Sequence, residues 1–107
     1  MPKHIVVMPS VQQKLKDVGE QIKYARLRRQ LSITLVSERS GLSRQTVYAV
    51  EAGNPNVSIG AYAAVLMAIG MPDEISKLAK DDPVGRLIED SHLKIKRRKR
   101  RKDGMLS

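Results

Sequence analysis

The strongest constraint on the fold is a pair of short predicted helices that only three residues separate. Ser32 is a candidate N-cap for a helix over residues 33–40, because its hydroxyl can accept from a free backbone N–H of the first turn. Gly41 is suited to end that helix, since glycine adopts left-handed backbone without a Cβ clash. Ser43 can cap a second helix over residues 44–52. Helices this short are not stable alone, so the chain must pack them against further helices.

A longer helix is predicted before this pair. Apolar residues recur there at steps of three and four: Val11, Leu15, Val18, Ile22 and Ala25. The stripe indicates an amphipathic helix up to about residue 30, with Ser10 and Gln13 as a capping box. Gly19 weakens its middle, so a helix that begins near Val18, after a separate turn, is an open alternative.

Further helices are predicted after the pair. Ser58 can cap a helix over residues 59–69, which Gly70 ends,. A short fifth helix is expected at residues 73–80, and residues 84–92 have the apolar spacing of another short helix,.

The predicted fold is therefore all-α: a five-helix domain over residues 10–80 with an extension over residues 81–107. Residues 1–9 form a short apolar segment between two prolines, either a free arm or a strand that pairs with a partner subunit. The chain has no Phe and no Trp, so the core must come from small aliphatic residues and its stability is modest,. Dimerisation would help by burying more apolar surface.

Composition excludes several classes of protein. Without Cys, the chain has no disulfide, no thiolate zinc site and no Cys nucleophile,. His4 and His92 are the only histidines and are far apart, and no P-loop or metal-ligand spacing occurs,. We expect no enzymatic activity, no cofactor and no metal. No apolar run approaches the ~20 residues of a membrane span, so the expected location is the cytoplasm.

Positive charge is concentrated at the C-terminus. The formal net charge is +9, and eight cations lie in nine consecutive residues: Lys94, Lys96, Arg97, Arg98, Lys99, Arg100, Arg101 and Lys102. Like charges repel and the run has almost nothing apolar, so we predict a disordered tail. It is either a solubilising segment or, as we favour, an arm that binds DNA phosphates by displacing counterions.

The central helix pair has the features of a helix-turn-helix. Two short helices joined by a tight turn that contains glycine define this motif. Apolar residues stand where the two helices must pack: Val36, Leu42, Val47 and Val50. The other face of the second helix presents donors, acceptors and one aromatic ring, as groove recognition requires: Arg44, Gln45, Thr46, Tyr48 and Ala49,.

Residues 18–70 resemble the Cro/C1-type helix-turn-helix domain of the XRE family, most specifically in the segment GLSRQTVYAVEAG. The resemblance implies a lambda-repressor-like fold with a recognition helix at residues 43–52 in the major groove. Dimers would place two such helices about 34 Å apart on a palindromic operator. It also implies that Arg44 and Gln45 read base edges, with Thr46, Tyr48 and Ala49 beside them.

The resemblance implies further roles at matching positions. Arg26 and Glu51 would form a partly buried structural ion pair. The polar residues expected at DNA phosphates within the domain are Ser32, Ser43, Asn54 and Asn56.

Three residues depart from the family pattern. Ile33 stands where a phosphate-binding Gln is usual, and Ser37 and Ser40 replace apolar residues. The domain itself therefore offers few phosphate contacts, and the basic tail is expected to supply the others.

The segment LAKDDPVGRLIEDSHLKIKRRKR resembles the C-terminal extension of HipB-like proteins. This implies a homodimeric antitoxin that represses its own type II toxin–antitoxin operon and binds a HipA-like kinase, which some operons split into two chains. The alternative is a phage-type or metabolic repressor with no toxin partner, and a third possibility is a helix-turn-helix used only for protein interaction. A kinase-like gene next to this one would favour the antitoxin.

Overall fold

The computed structural model describes residues 4–103, with side chains for residues 4–93. Its elements are α1 (Pro9–Arg28), α2 (Ile33–Ser40), α3 (Arg44–Glu51), α4 (Ile59–Ala68), a 3-10 helix (Pro72–Lys77) and α5 (Pro83–Asp103). No strand occurs in the part of the chain that is described, and the predicted all-α class is confirmed. The chain divides into two compact units, Met1–Ser76 and Lys77–Ser107.

Helix α1 begins at Pro9, and the predicted capping box at Ser10 is wrong. Met8 is the N-cap residue and makes no side-chain capping bond. Pro9 stands in the first turn, where its fixed φ suits the helix and its missing N–H costs nothing. Ser10 is therefore already helical, and the Gln13 side chain instead donates to Asp17 Oδ1 over 3.1 Å.

Helix α1 is continuous through Gly19, which rules out the later start near Val18. Gly19 is buried because the backbone at the end of α3 lies directly against it. A Cβ atom there would stand 2.6 Å from the Glu51 carbonyl oxygen and 2.6 Å from the Gly53 nitrogen. Real Cβ atoms do not come that close, so glycine sets how near α1 and α3 approach.

The core of the first unit is built from α1–α4. Its buried apolar members are Ile22, Ala25, Val36, Val47, Val50, Ala61, Tyr62, Val65, Leu66, Ala68 and Ile69. Only the C-terminal half of the predicted α1 stripe contributes, because Val11 is 42% exposed and Val18 is 40% exposed. Helix α1 therefore extends beyond the core that α2–α4 provide.

The predicted fifth helix is a 3-10 helix of six residues that ends at Lys77. Helix α5 then begins at Pro83 behind Asp82, whose Oδ1 accepts from Gly85 N over 2.9 Å.

Helix α5 is longer than predicted. It continues to Asp103 and includes the backbone of the basic run, whereas charge repulsion predicts a disordered tail there. Lys and Arg are good helix formers in spite of their charge, which favours this continuation. The side chains of residues 94–107 lie outside the described residues.

We predict opposite effects for alanine at two helical glycines. Gly19→Ala forces α1 away from the α3 backbone and is expected to lower the free energy of unfolding by about 2–3 kcal/mol. Gly60→Ala is the matched control: it lies in α4, and a Cβ there meets only Ser58 Oγ at 3.7 Å. This control is expected to stabilise by about 0.5 kcal/mol through helix propensity.

Urea denaturation followed by circular dichroism measures both changes. Equal stabilities for Gly19→Ala and wild type would show that α1 and α3 do not pack this closely.

Candidate nucleic-acid interface

The segment from α2 to α3 is held by two serine caps and one left-handed glycine. Ser32 Oγ accepts from Leu35 N over 3.0 Å, and Ser43 Oγ accepts from Thr46 N over 3.1 Å. Gly41 ends α2 with φ +75°, the conformation that the sequence predicts for it. Gly41 ends α2 and Ser43 starts α3, so only three residues separate the two helices, as a helix-turn-helix requires,.

The two serines that depart from the family pattern stabilise the turn. Ser37 Oγ donates to the Leu42 carbonyl oxygen over 2.5 Å. Leu42 N donates to Ser40 Oγ over 3.2 Å. Both backbone polar groups of Leu42 are thereby satisfied without water, which leaves its side chain to pack against the core,.

Helix α3 has one buried and one exposed face. Val47 and Val50 are fully buried against the neighbouring helices. On the other face Arg44 and Gln45 are exposed, and Tyr48 is 58% exposed. These three side chains stand in solvent at the beginning and middle of α3, where a ligand can reach them.

The other two predicted base-reading residues are less accessible. Thr46 and Ala49 are half-buried. Thr46 Oγ1 lies 3.0 Å from Ser43 Oγ, so this hydroxyl already takes part in the cap of α3. The accessible donors of the face are therefore those of Arg44, Gln45 and Tyr48.

A buried ion pair joins α1 to the last residue of α3. Arg26 Nε lies 2.6 Å from Glu51 Oε2, and Arg26 Nη2 lies 3.1 Å from Glu51 Oε1, which is a bidentate geometry,. Arg26 Nη1 also donates to the Leu31 carbonyl oxygen over 2.9 Å. The two side chains are only 9% and 5% exposed. The structure therefore brings together the two residues whose pairing the family resemblance implies.

The loop after α3 is organised by its two asparagines. Asn54 Oδ1 accepts from Asn56 N over 2.8 Å, and Asn56 Oδ1 accepts from Ile5 N of the N-terminal segment. Tyr62 Oη donates to the Asn54 carbonyl oxygen over 3.0 Å, and burial raises the pKa of this phenol above its ordinary value. Both asparagines predicted to bind phosphate thus use their side-chain oxygens within the protein, which leaves the amide NH₂ of each as its side-chain donor,.

Two residues of α1 have roles at α3 that the sequence did not indicate. Gln12 Nε2 donates to the Gly53 carbonyl oxygen over 3.1 Å. Gly19 provides the close approach described above. The sequence held one signal for the role of Gly19. An isolated glycine inside an amphipathic helical pattern often has a packing reason.

The eight predicted phosphate-binding cations of the tail have side chains outside the described residues. Among the residues described, no cluster of three or more His, Cys, Asp or Glu could hold a metal ion. No helix in the described part of the chain has the length and apolar character that crossing a membrane requires.

Residues 17–78 match the model of a family described as a helix-turn-helix domain. This match covers more than half of the chain, and the chain therefore belongs to the helix-turn-helix domain family. It is a Cro/C1-type helix-turn-helix DNA-binding regulator. No curated protein matches the sequence.

We predict strong energetic coupling between Arg26 and Glu51. Glu51→Gln or Arg26→Met leaves one buried charge without its partner and is expected to lower the free energy of unfolding by about 3 kcal/mol. The double variant should lose less than the sum of the two single losses, which denaturant titration of all four proteins measures.

The exposed pair Arg86–Asp81 is the control. Arg86 Nη2 lies 3.2 Å from Asp81 Oδ1, and the two side chains are 60% and 94% exposed. Asp81→Asn should leave the unfolding midpoint unchanged, because solvent screens such pairs. Strictly additive losses at Arg26 and Glu51 would contradict the coupling.

Proposed function

We propose that this protein is a sequence-specific transcriptional repressor that binds a palindromic operator as a homodimer. The observation that supports this most directly is the exposed pair Arg44 and Gln45 at the start of α3. The opposite face of the helix is fully buried, so the orientation of this pair is set by the core.

The chemistry of the two side chains suits base reading. An arginine guanidinium can donate two hydrogen bonds to guanine O6 and N7, and a glutamine amide can bond adenine N6 and N7. Tyr48 lies one turn further along the exposed face and offers a hydroxyl and a ring edge for a phosphate or a thymine methyl group. Thr46 and Ala49 border this surface and are proposed as secondary base contacts.

Replacing Arg44 or Gln45 by Ala is expected to weaken operator binding by about 1–3 kcal/mol and to relax preference at one base pair of each half-site. The operator is first obtained by selection from random duplexes, and fluorescence anisotropy then compares it with an unselected duplex. Arg28→Ala is the control, because it removes the same charge from an exposed position at the end of α1. Equal weakening on both duplexes by Arg44→Ala would overturn the base-reading role.

Phosphate contacts are proposed at two places. Within the domain the donors are the hydroxyl groups of Ser32 and Ser43 and the amide groups of Asn54 and Asn56. The larger share is proposed for the eight cations of residues 94–102, because the domain residues near α3 include few cations,. Such contacts position the protein and carry no sequence information.

The tail proposal predicts a change in salt dependence. Replacing Lys99, Arg100, Arg101 and Lys102 by Gln should weaken binding to operator and random duplex by similar factors. The slope of log K against log salt should change by about 3–4 units, because each phosphate contact contributes about −0.9. Anisotropy titrations at four salt concentrations measure the slope. An unchanged slope would make the tail a solubility or partner-binding segment.

We further propose that the protein is the HipB-like antitoxin subunit of a type II toxin–antitoxin operon. The segment DDPVGRL supports this through its resemblance to HipB-like extensions, and in the structure it forms the capped start of α5. The proposed partner is a HipA-like kinase, in one chain or two.

Co-expression with the product of the adjoining gene tests the antitoxin assignment. A stable complex with a kinase-like protein supports it. A neighbourhood without such a gene would favour a phage-type or metabolic repressor.

A further inference from the structure

Two consecutive backbone carbonyl groups of the α3–α4 loop (residues 52–58) accept hydrogen bonds from side chains of two different helices. Gln12 of α1 donates through Nε2 to the Gly53 carbonyl oxygen over 3.1 Å. Tyr62 of α4 donates through its hydroxyl to the Asn54 carbonyl oxygen over 3.0 Å. The backbone of this loop is therefore tied both to the first helix and to the core.

The Tyr62 ring lies in the core while its hydroxyl reaches the loop. The residue is only 9% exposed and belongs to the buried apolar cluster. Apolar packing alone does not require a hydroxyl, and a buried hydroxyl must find a partner. Burial raises the pKa of this phenol, so the group remains a neutral hydrogen-bond donor at neutral pH,.

Asn54 connects the other bonds of the loop. Its backbone N–H donates to the Ala49 carbonyl oxygen of α3 over 3.0 Å, and its side-chain oxygen accepts from Asn56 N over 2.8 Å. A displacement of Asn54 therefore moves both asparagines. Without the Tyr62 hydroxyl, the Asn54 carbonyl group would depend on the N–H of Val57 at 3.4 Å, which is longer than an ordinary hydrogen bond,.

We propose that Gln12 and Tyr62 are positioning residues for DNA binding, because they hold the loop whose two asparagines are proposed to donate to phosphates. The inference rests on those proposed contacts and adds the residues that set their position. The loop continues from the exposed face of α3, since Tyr48 and Ala52 are four residues apart and both exposed,. A donor that is already held in place loses less conformational freedom on binding, so the two bonds raise affinity for any duplex.

Tyr62→Phe and Gln12→Ala each remove one of the two bonds. Each variant is expected to weaken binding to the operator and to an unselected duplex by about three- to tenfold, the equivalent of one net hydrogen bond. Both duplexes should be affected equally, because phosphate contacts carry no sequence information. The slope of log K against log salt should keep its wild-type value, since neutral amide groups release no counterions. Fluorescence anisotropy measures all of these quantities.

Tyr24→Phe and Gln13→Ala are the matched controls. Tyr24 is 49% exposed in α1, and the Gln13 side chain donates to Asp17 and not to the loop. Neither control should change either dissociation constant. Titration at stoichiometric DNA concentrations gives the active fraction of each protein, so partial unfolding does not enter the constants. Gln12 is half-exposed, so its variant tests the loop without a change in the core.

Replacing both loop asparagines by Ala tests whether Tyr62 acts through them. In the background Asn54→Ala/Asn56→Ala, Tyr62→Phe should cause no further loss of affinity, because the amide groups that it positions are gone. A purely structural role would leave the loss as large as in the wild-type background, and that result would overturn the proposal. Wild-type affinity of both Tyr62→Phe and Gln12→Ala, or equal weakening by the controls, would also overturn it.

Failure of this inference is distinguishable from failure of the proposed function. If the double asparagine variant binds more weakly but Tyr62→Phe and Gln12→Ala do not, the phosphate contacts stand and the positioning roles are wrong. If the double asparagine variant keeps wild-type affinity, the loop contacts and their positioning residues are both wrong. The effect of Arg44→Ala on operator preference tests base reading independently of either result.

Discussion

The close contact between α1 and the end of α3 sets the orientation of α3, the helix proposed to read the bases. Gly19 lets the two backbones meet without a Cβ between them, and the bidentate pair Arg26–Glu51 fixes the same end of α3 electrostatically. Gln12 adds a hydrogen bond to the Gly53 carbonyl group just beyond it. Helix α3 is only eight residues long and would not be stable alone, so its position depends on this contact and on the core,.

The ion pair is better understood as an orienting device than as a source of stability. Removing two charges from water costs several kcal/mol per ion, which their attraction repays only with good geometry. Here the geometry is good, because Arg26 places three of its donors on Glu51 and on the Leu31 carbonyl group. Because three hydrogen bonds fix the plane of the guanidinium group, the pair permits little rotation of α3 relative to α1.

The two units of the chain differ in charge and in the side chains they expose. The first unit has a small aliphatic core and presents a short polar helix face, which suits recognition of bases. The second unit carries most of the net positive charge and exposes several aliphatic side chains. Under the proposed function, base specificity comes from the first unit and phosphate affinity comes mainly from the second.

Local signals in the sequence were sufficient for the central helices. Ser32, Ser43 and Ser58 cap α2, α3 and α4 as predicted, and Gly41 ends α2, because a cap acts within about four residues of itself,. The all-α class and the helix-turn-helix were predicted from the positions of these caps, of the glycines and of the apolar residues between them. The Arg26–Glu51 contact came from family resemblance and not from any local pattern.

Contacts between distant residues were decided only by the tertiary structure. The sequence could not show that Gly19 faces the end of α3, that Val11 and Val18 lie outside the core, or that Ser37 and Ser40 satisfy the turn. A capping bond depends on neighbouring backbone alone, so its pattern is visible in sequence. Burial and close approach depend on which elements meet in space, and the same apolar spacing in α1 is compatible with a half-buried or a fully buried helix.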